Sequence, residues 1–206
     1  SGWSSYTQSS TLTGLYITIF SNKNNVINGG HSFLNVENLT DEDVYIGTFK
    51  LAEGDNAYIG ARLIGDEKGD HYIKECNSGV AINFEGVNDY LEDQDGDNVY
   101  RDFAWYTVSI QKDNLDKLYE CMKTYGEYSL TSNNCAHFAT KAWNSVVESK
   151  YRVTETGIPG TLKTYITDTL KGNTATVLRF NNKAVSDIMV MGSYGELIPY
   201  SLETSE

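Results

Sequence analysis

The stretch Tyr128-Ser-Leu-Thr-Ser-Asn-Asn-Cys-Ala-His-Phe138 decides how this chain folds, because the hydrophobic period changes there. The Ser, Thr and Asn side chains just before the cysteine are good N-caps for a helix. Beyond them, a stripe of small and apolar side chains recurs at helical spacing: Cys135, Phe138, Ala139, Ala142 and Val146. This pattern predicts an amphipathic helix with the cysteine in its first turn.

The chain ahead of this helix has mostly strand character. Alternating β-branched and aromatic residues predict strands at 15–20, 31–36, 44–51, 57–64, 71–74, 80–84 and 103–110. The turn-like residues 39–43 predict that the second and third of these strands form a hairpin. Apolar residues at three- and four-residue steps predict a further helix over 114–125.

The C-terminal part returns to strand character. Gly157-Ile-Pro-Gly160 predicts a break in the chain, and residues 174–180 and 187–191 predict strands. There is no internal repeat and no low-complexity linker, so we expect one domain over 1–206, with residues 1–13 as a flexible leader. The class is α+β, with a mostly antiparallel sheet or barrel packed against the helix that carries the cysteine.

Charge and composition restrict the possible partners. The 206 residues include 16 basic and 28 acidic side chains, which gives a net charge of −12. This charge repels phosphate backbones and anionic lipid surfaces, so we expect no nucleic-acid partner. No run reaches the roughly 20 apolar residues of a membrane-spanning helix, so no stable membrane insertion is expected. The acidic, Tyr-rich and proline-poor composition is typical of a secreted or cell-surface bacterial protein, and the sequence gives no indication of the oligomeric state.

Two residues are candidates for chemistry. In the first turn of a helix, unpaired backbone N–H groups and the helix dipole would stabilise a thiolate at Cys135. The alternative is a small buried cysteine that only packs. His31 follows Gly29-Gly30, which would let the backbone pack tightly and leave the imidazole accessible at a strand end, where a thiolate needs a base. The alternative there is a surface histidine beside a loop.

The segment 128–138, followed by Ala142-Trp143, resembles the Asn-Cys-x-x-Phe helix start of papain-like cysteine hydrolases of the NlpC type. Gly30-His-Ser-Phe-Leu-Asn-Val36 resembles the Gly-His strand of the same superfamily. Here the histidine precedes the cysteine, which is the circularly permuted order. Bacterial permuted amidases and peptidases share that order with lecithin–retinol acyltransferase-like enzymes.

The resemblance implies a role for each matching residue. Cys135 would be the nucleophile and His31 the general base. The Cys135 backbone N–H and an upstream donor would hold the oxyanion, and the candidates for that donor and for substrate contacts are Tyr128, Ser129 and Asn134. The third catalytic position falls near residues 46–48, where Thr48 is the candidate to orient His31; the alternatives are Tyr45, a backbone carbonyl, a water or a residue from elsewhere.

The implied function is a thiol hydrolase that cleaves amide bonds in peptides or cell-wall peptidoglycan through a thioester at Cys135, without a cofactor. The first alternative is acyl transfer of the lecithin–retinol acyltransferase type. The second is a non-catalytic binding module on the same scaffold, since a fold alone does not establish an activity.

The remaining chemistry-bearing residues have structural explanations. His137 lies about 200° round the helix from Cys135, so we expect a structural or surface role for it. His71 is expected to be exposed, and residues 93–98 to be an acidic turn rather than a calcium loop. Cys76 and Cys121 either pair or stay reduced, and no spacing predicts a metal site.

Overall fold

The computed structural model describes residues 3–5, 13–63, 79–87, 99–179 and 183–200. The strands are β1 Trp3–Ser5, β2 Gly14–Asn22, β3 Ser32–Leu39, β4 Val44–Ile46, β5 Phe49–Leu51, β6 Asn56–Ala61, β7 Val80–Ile82, β8 Val99–Ile110, β9 Asn173–Arg179, β10 Met189–Met191 and β11 Leu197–Pro199. The helices are α1 Asn114–Thr124, α2 Cys135–Val146 and α3 Pro159–Asp168. A 3-10 helix, Phe84–Val87, follows β7.

Nine of these strands form one sheet in the order β1-β9-β8-β2-β3-β6-β7-β10-β11. Its strand pairs are antiparallel, except that β1 runs parallel to β9. The strands β4 and β5 form a separate two-stranded sheet. The protein is therefore α+β with a mostly antiparallel sheet and three helices in its described part, which agrees with the class expected from the sequence.

The two faces of the sheet carry different clusters, because successive side chains of a strand point to opposite faces. Ile17, Leu34 and Ile59 belong to the main core, which also contains buried residues of all three helices. Aromatic residues at the adjacent positions of these strands, such as Phe33 before Leu34 and Tyr58 before Ile59, point to the opposite face and form a second buried cluster. Helix α2 packs on β3 and β6, and α3 packs on β2 and β8. The helix that begins at the cysteine therefore lies against the strand that follows the histidine.

The predicted hairpin between residues 31–36 and 44–51 is wrong. Strand β3 pairs with β2 on one side and with β6 on the other. Residues 44–51 instead fold back on themselves, as β4 and β5 joined by the turn Gly47–Thr48. A glycine within an apparently continuous strand was the signal for this turn.

The predicted chain break at residues 157–160 is partly wrong, because Pro159 starts α3. Proline fits the first position of a helix, since the N–H that it lacks would have no partner inside the helix. Leu162 and Ile166 of α3 are buried in the main core. The amide of Gly160 donates a hydrogen bond of 3.0 Å to the Asn24 carbonyl, which ties α3 to the loop before β3.

The predictions of α1 and α2 are confirmed to within a few residues. Trp3–Ser5, within the expected leader, forms the edge strand β1. The predicted strand at 71–74 and the acidic segment 93–98 lie outside the described residues. Within the described ranges, no helix has both the length and the hydropathy needed to cross a membrane.

Leu118 of α1 is fully buried in the main core, so we expect Leu118→Ala to lower the free energy of unfolding by about 2–5 kcal/mol. The neighbouring Lys117 is exposed, and Lys117→Ala is the matched control, with an expected change within about 0.5 kcal/mol. Urea unfolding of both variants measures the difference. Equal effects of the two substitutions would contradict the assignment of this helix face to the core.

Candidate active site

The first turn of α2 is fixed by a capping box. The side-chain oxygen of Asn134 accepts hydrogen bonds from the backbone N–H groups of Ala136 and His137, at 3.0 and 3.3 Å. In return, the Asn134 backbone N–H donates to His137 Nδ1 at 3.1 Å. His137 therefore has a structural role, as predicted. The capping box holds Cys135, which is 1% exposed, as the first residue of the helix.

His31 lies immediately before β3, in a backbone position that its neighbours determine. Its N–H donates to Asn22 Oδ1 at 2.9 Å, and the Asn22 side chain also donates to the Gly29 carbonyl at 3.1 Å. Gly30 packs so closely on the loop that a Cβ there would collide with backbone oxygens of that loop. The imidazole ring stacks on Phe33, with ring centroids 5.3 Å apart. The tight packing expected of the two glycines is thus found at Gly30.

Glu85 supplies the carboxylate beside the imidazole. Its Oε1 lies 2.7 Å from His31 Nε2, and its Oε2 accepts a hydrogen bond of 2.7 Å from Arg62 Nη2. The Glu85 side chain is 2% exposed, whereas those of His31 and Arg62 are each 15% exposed. A buried carboxylate with two cationic partners avoids the large penalty of an unpaired charge.

The protonation of His31 follows from these neighbours. Burial of the ring lowers its pKa, but the charges of Glu85 and Cys135, together with hydrogen bonds to both side chains, raise the pKa to about 9. The Cys135 thiol is thus close enough to the ring to affect its pKa. Since Nε2 faces Glu85, Nδ1 is the ring nitrogen that is available to the thiol. The imidazole therefore joins the cysteine to the carboxylate.

Tyr128 is a further neighbour of Cys135. Burial, followed by the charge of Cys135, raises the pKa of the Tyr128 phenol, and the charge of Arg62 lowers it. A hydrogen bond with the Cys135 backbone also lowers this pKa. Only a donor stabilises a phenolate, so the backbone group in this contact is the Cys135 N–H. The Tyr128 phenol therefore lies close to the first residue of α2.

The expectation that Thr48 orients His31 is corrected. Thr48 is exposed in the turn between β4 and β5, which belong to the separate two-stranded sheet. The position is filled by Glu85 instead. The prediction placed the orienting residue on the strand that comes next along the chain. In the sheet, however, the neighbour of β3 on that side is β6, followed by β7. Tyr45, the alternative, is also exposed on that hairpin.

Two of the expected oxyanion or substrate residues have their polar groups engaged elsewhere. The Asn134 amide accepts the two capping bonds and donates to the carbonyls of Leu130 and Gly157, at 3.0 and 2.8 Å. The Ser129 hydroxyl accepts hydrogen bonds from the Ser132 backbone N–H and from the Ser132 hydroxyl, and the Ser129 backbone N–H donates to the Asn133 carbonyl. The Asn134 amide and the Ser129 backbone N–H are therefore not free to bind an oxyanion, and Tyr128 remains the candidate that lies close to the Cys135 amide.

Sequence reasoning missed Glu85 and Arg62. Each had a signal: a charged residue directly after a short apolar strand, in the segments 80–85 and 57–62. The structure adds that a Cβ at Gly60 would lie 2.7 Å from Glu85 Oε1. A side chain at this position would push the carboxylate away from the ring, so Gly60 makes the room that Glu85 occupies.

Of the remaining candidates, Cys121, Cys76 and His71, only Cys121 lies in the described part of the chain. Cys121 is a half-buried free thiol on α1, while Cys76 and His71 lie outside the described residues. In the described part of the chain, no three His, Cys, Asp or Glu side chains converge as metal ligands would.

Comparisons with protein-family models, with curated proteins and with solved structures find no significant match to this chain. The function therefore has to be inferred from the arrangement of Cys135, His31 and Glu85 alone.

We expect the free energy of unfolding to decrease between about pH 6.5 and about pH 9 because folding raises the pKa of His31. In this window the folded protein keeps a proton that the unfolded chain has released. The stabilisation is complete below about pH 6.5 and is lost as the pH rises through about 9, at most roughly 3 kcal/mol. Urea unfolding at the two ends of the window measures it.

The charged and titratable groups that face the ring in this experiment are Glu85, Arg62 and Cys135. His31→Asn should abolish the decrease, and Glu85→Gln should reduce it, because the main cause of the raised pKa is removed. A decrease of the same size in His31→Asn would contradict the assignment to His31.

Proposed function

We propose that this protein is a thiol hydrolase that cleaves amide bonds, with Cys135 as nucleophile, His31 as general base and acid, and Glu85 as the residue that orients His31. The observation that supports this proposal best is the chain of contacts from Cys135 through the His31 ring to the buried Glu85. A nucleophile, a base and an orienting carboxylate in this order form the arrangement that acyl transfer requires.

Acylation would begin with attack of the Cys135 thiolate on the carbonyl carbon of the substrate. A C–S bond forms, and the electron pair of the carbonyl moves to its oxygen. In this proposal the Cys135 N–H and the Tyr128 hydroxyl, which lie close together, would donate hydrogen bonds to this oxyanion. His31 then gives its proton to the leaving nitrogen, the C–N bond breaks, and a thioester at Cys135 remains.

Deacylation would use the same groups in reverse. The neutral His31 takes a proton from water, and the water oxygen attacks the thioester carbonyl. The C–S bond breaks, its electron pair returns to the sulfur of Cys135, and the product leaves as a carboxylic acid, while His31 holds the proton taken from water. Glu85 stabilises the charged ring in both steps through its contact with Nε2. The net reaction is amide plus water to acid plus amine.

The fold proposed for this activity is a circularly permuted papain-like domain of the NlpC type. Its support is the packing of α2, which begins at Cys135, against β3, which begins just after His31. The histidine strand precedes the cysteine helix in the chain, as in the permuted order. Peptides and peptidoglycan stems are the substrates proposed on this basis.

Acyl transfer to or from a lipid is the second candidate, and one observation favours it. Of the six large hydrophobic side chains that are exposed in the described part of the chain, three belong to segments that contribute to the site or to the cap of α2: Leu63, Leu130 and Ile158. Leu63 follows Arg62, and the carbonyls of Leu130 and Gly157 bind the same Asn134 amide. Apolar side chains around a nucleophile favour a substrate with an apolar acyl group.

Side-by-side assays would test the first proposal. Incubation with peptides, with peptidoglycan fragments and with zwitterionic phospholipid vesicles, followed by mass spectrometry, identifies the bond that is cleaved. We expect Cys135→Ala to lower turnover by on the order of 10⁴-fold or more and Glu85→Gln by roughly 10²- to 10⁴-fold. Cys121→Ala, which removes the thiol outside the site, should leave turnover unchanged.

Two outcomes would decide against the hydrolase. Transfer of an acyl group from the vesicles, without cleavage of peptides, would favour the acyltransferase. Binding of a peptide without turnover, together with equal alkylation of Cys121 and Cys135 in the folded protein, would favour a non-catalytic binding module.

Tyr128→Phe tests the oxyanion contact by itself, because it removes only the hydroxyl next to the Cys135 amide. We expect kcat to fall by about 10²- to 10³-fold with little change in KM, since the lost hydrogen bond forms mainly in the transition state. Alkylation of Cys135 by iodoacetamide, which has no oxyanion, should keep its rate. A loss that appears only in KM would show that Tyr128 binds the ground state instead.

A further inference from the structure

Arg62 shares the Glu85 carboxylate with His31. Its Nη2 lies 2.7 Å from Glu85 Oε2 and 3.3 Å from His31 Nε2. When His31 is protonated, both of these nitrogens carry hydrogens, so the 3.3 Å approach is a contact between like charges that Glu85 bridges. The arginine is thus placed where it opposes the positive charge on the ring.

The position of Arg62 is fixed from two further directions. Its backbone N–H donates to the Gly79 carbonyl at 2.8 Å, and its guanidinium carbon lies 4.8 Å from the centroid of the Phe84 ring. Phe84 directly precedes Glu85 in the chain, so neighbouring residues supply the carboxylate and the ring that contact the guanidinium. If the guanidinium turned away from the carboxylate, it would also lose its contact with the Phe84 ring.

Stability alone does not explain this arginine. Its Nε is buried and has no hydrogen-bond partner in the described part of the chain. A buried donor without a partner opposes folding, and a salt bridge in such surroundings does not reliably compensate for desolvation. The charge of Arg62 beside the imidazole gives a functional reason for its presence.

Without Arg62, Glu85 would act on His31 alone. Glu85 and Cys135 both favour the protonated ring, and a base that holds its proton too firmly is a poor acid toward a leaving nitrogen. A second cation on Glu85 Oε2 weakens the net electrostatic attraction between the carboxylate and the protonated ring. It also repels the proton on His31 Nε2.

We propose that Arg62 is a positioning residue of this site. By sharing Glu85 with His31, it lowers the affinity of the imidazole for its proton, so that His31 can transfer this proton to the leaving group. This inference rests on the proposed function for its catalytic meaning. The electrostatic effect itself is measurable on the ring without any substrate.

The test is an NMR titration of the His31 ring in the intact protein, with the resonance identified by its absence in His31→Asn. Arg62→Gln removes the charge but keeps a donor for Glu85, and we expect it to move the titration midpoint of His31 upward by on the order of one pH unit. Arg62→Lys keeps the charge and is the matched control, with a midpoint close to that of the unchanged protein. An unchanged or lower midpoint in Arg62→Gln would overturn the proposal.

Phe84→Leu provides a second variant if Arg62→Gln does not fold. It removes the ring under the guanidinium but keeps the arginine, so a smaller upward shift is expected. A merely structural role of Arg62 predicts the opposite direction, because displacement of Glu85 would lower the affinity of His31 for its proton.

Alkylation by iodoacetate separates this proposal from the proposed function. In a protein with Cys76→Ser and Cys121→Ser, Cys135 is the one thiol left to react. The rate of its alkylation should fall at high pH as His31 loses its proton. Arg62→Gln should move this fall to higher pH. If His31→Asn leaves the alkylation profile unchanged, the thiol–imidazole pair of the proposed function fails; if only Arg62→Gln leaves it unchanged, the role of Arg62 alone fails.

Discussion

The contact between the buried Glu85 carboxylate and its two cations is the interaction on which the whole site depends. A carboxylate that is 2% exposed is tolerated in the interior only when partners balance its charge. His31 and Arg62 come from the start of β3 and the end of β6, while Glu85 follows β7. These three segments meet because β3, β6 and β7 are neighbours in the sheet. The order of the strands therefore builds the charge cluster.

The start of α2 contributes Cys135, the proposed nucleophile, to this cluster. The hydrogen-bonding groups of the Asn134 side chain are all used by the cap and by the carbonyls of Leu130 and Gly157. This fixes the first turn and leaves the Cys135 amide beside Tyr128. Packing of α2 on β3 and β6 brings the thiol to the ring. Helix capping and helix packing, which are stability features, thus also set the geometry of the proposed chemistry.

The charge of the site differs from that of the molecule. The chain has a net charge of −12, yet the proposed site places Arg62 and a protonated His31 next to one carboxylate and one thiol. These groups are largely buried, so the distant surface acids affect them less than their immediate neighbours do. A composition that argues against nucleic acid as a partner is therefore compatible with a site that holds two cationic side chains.

The sequence by itself determined the elements whose causes are local. Capping residues and a stripe at helical spacing predicted α2 with Cys135 in its first turn, and Gly29-Gly30 predicted the close backbone packing before His31, because each signal depends on residues a few positions apart. Only the tertiary structure decided that Glu85, rather than Thr48, lies against the ring, and that Arg62 shares it. Which strand neighbours β3 depends on contacts between distant segments, and the hairpin of β4 and β5 interrupts the chain order, so no local pattern carries that information.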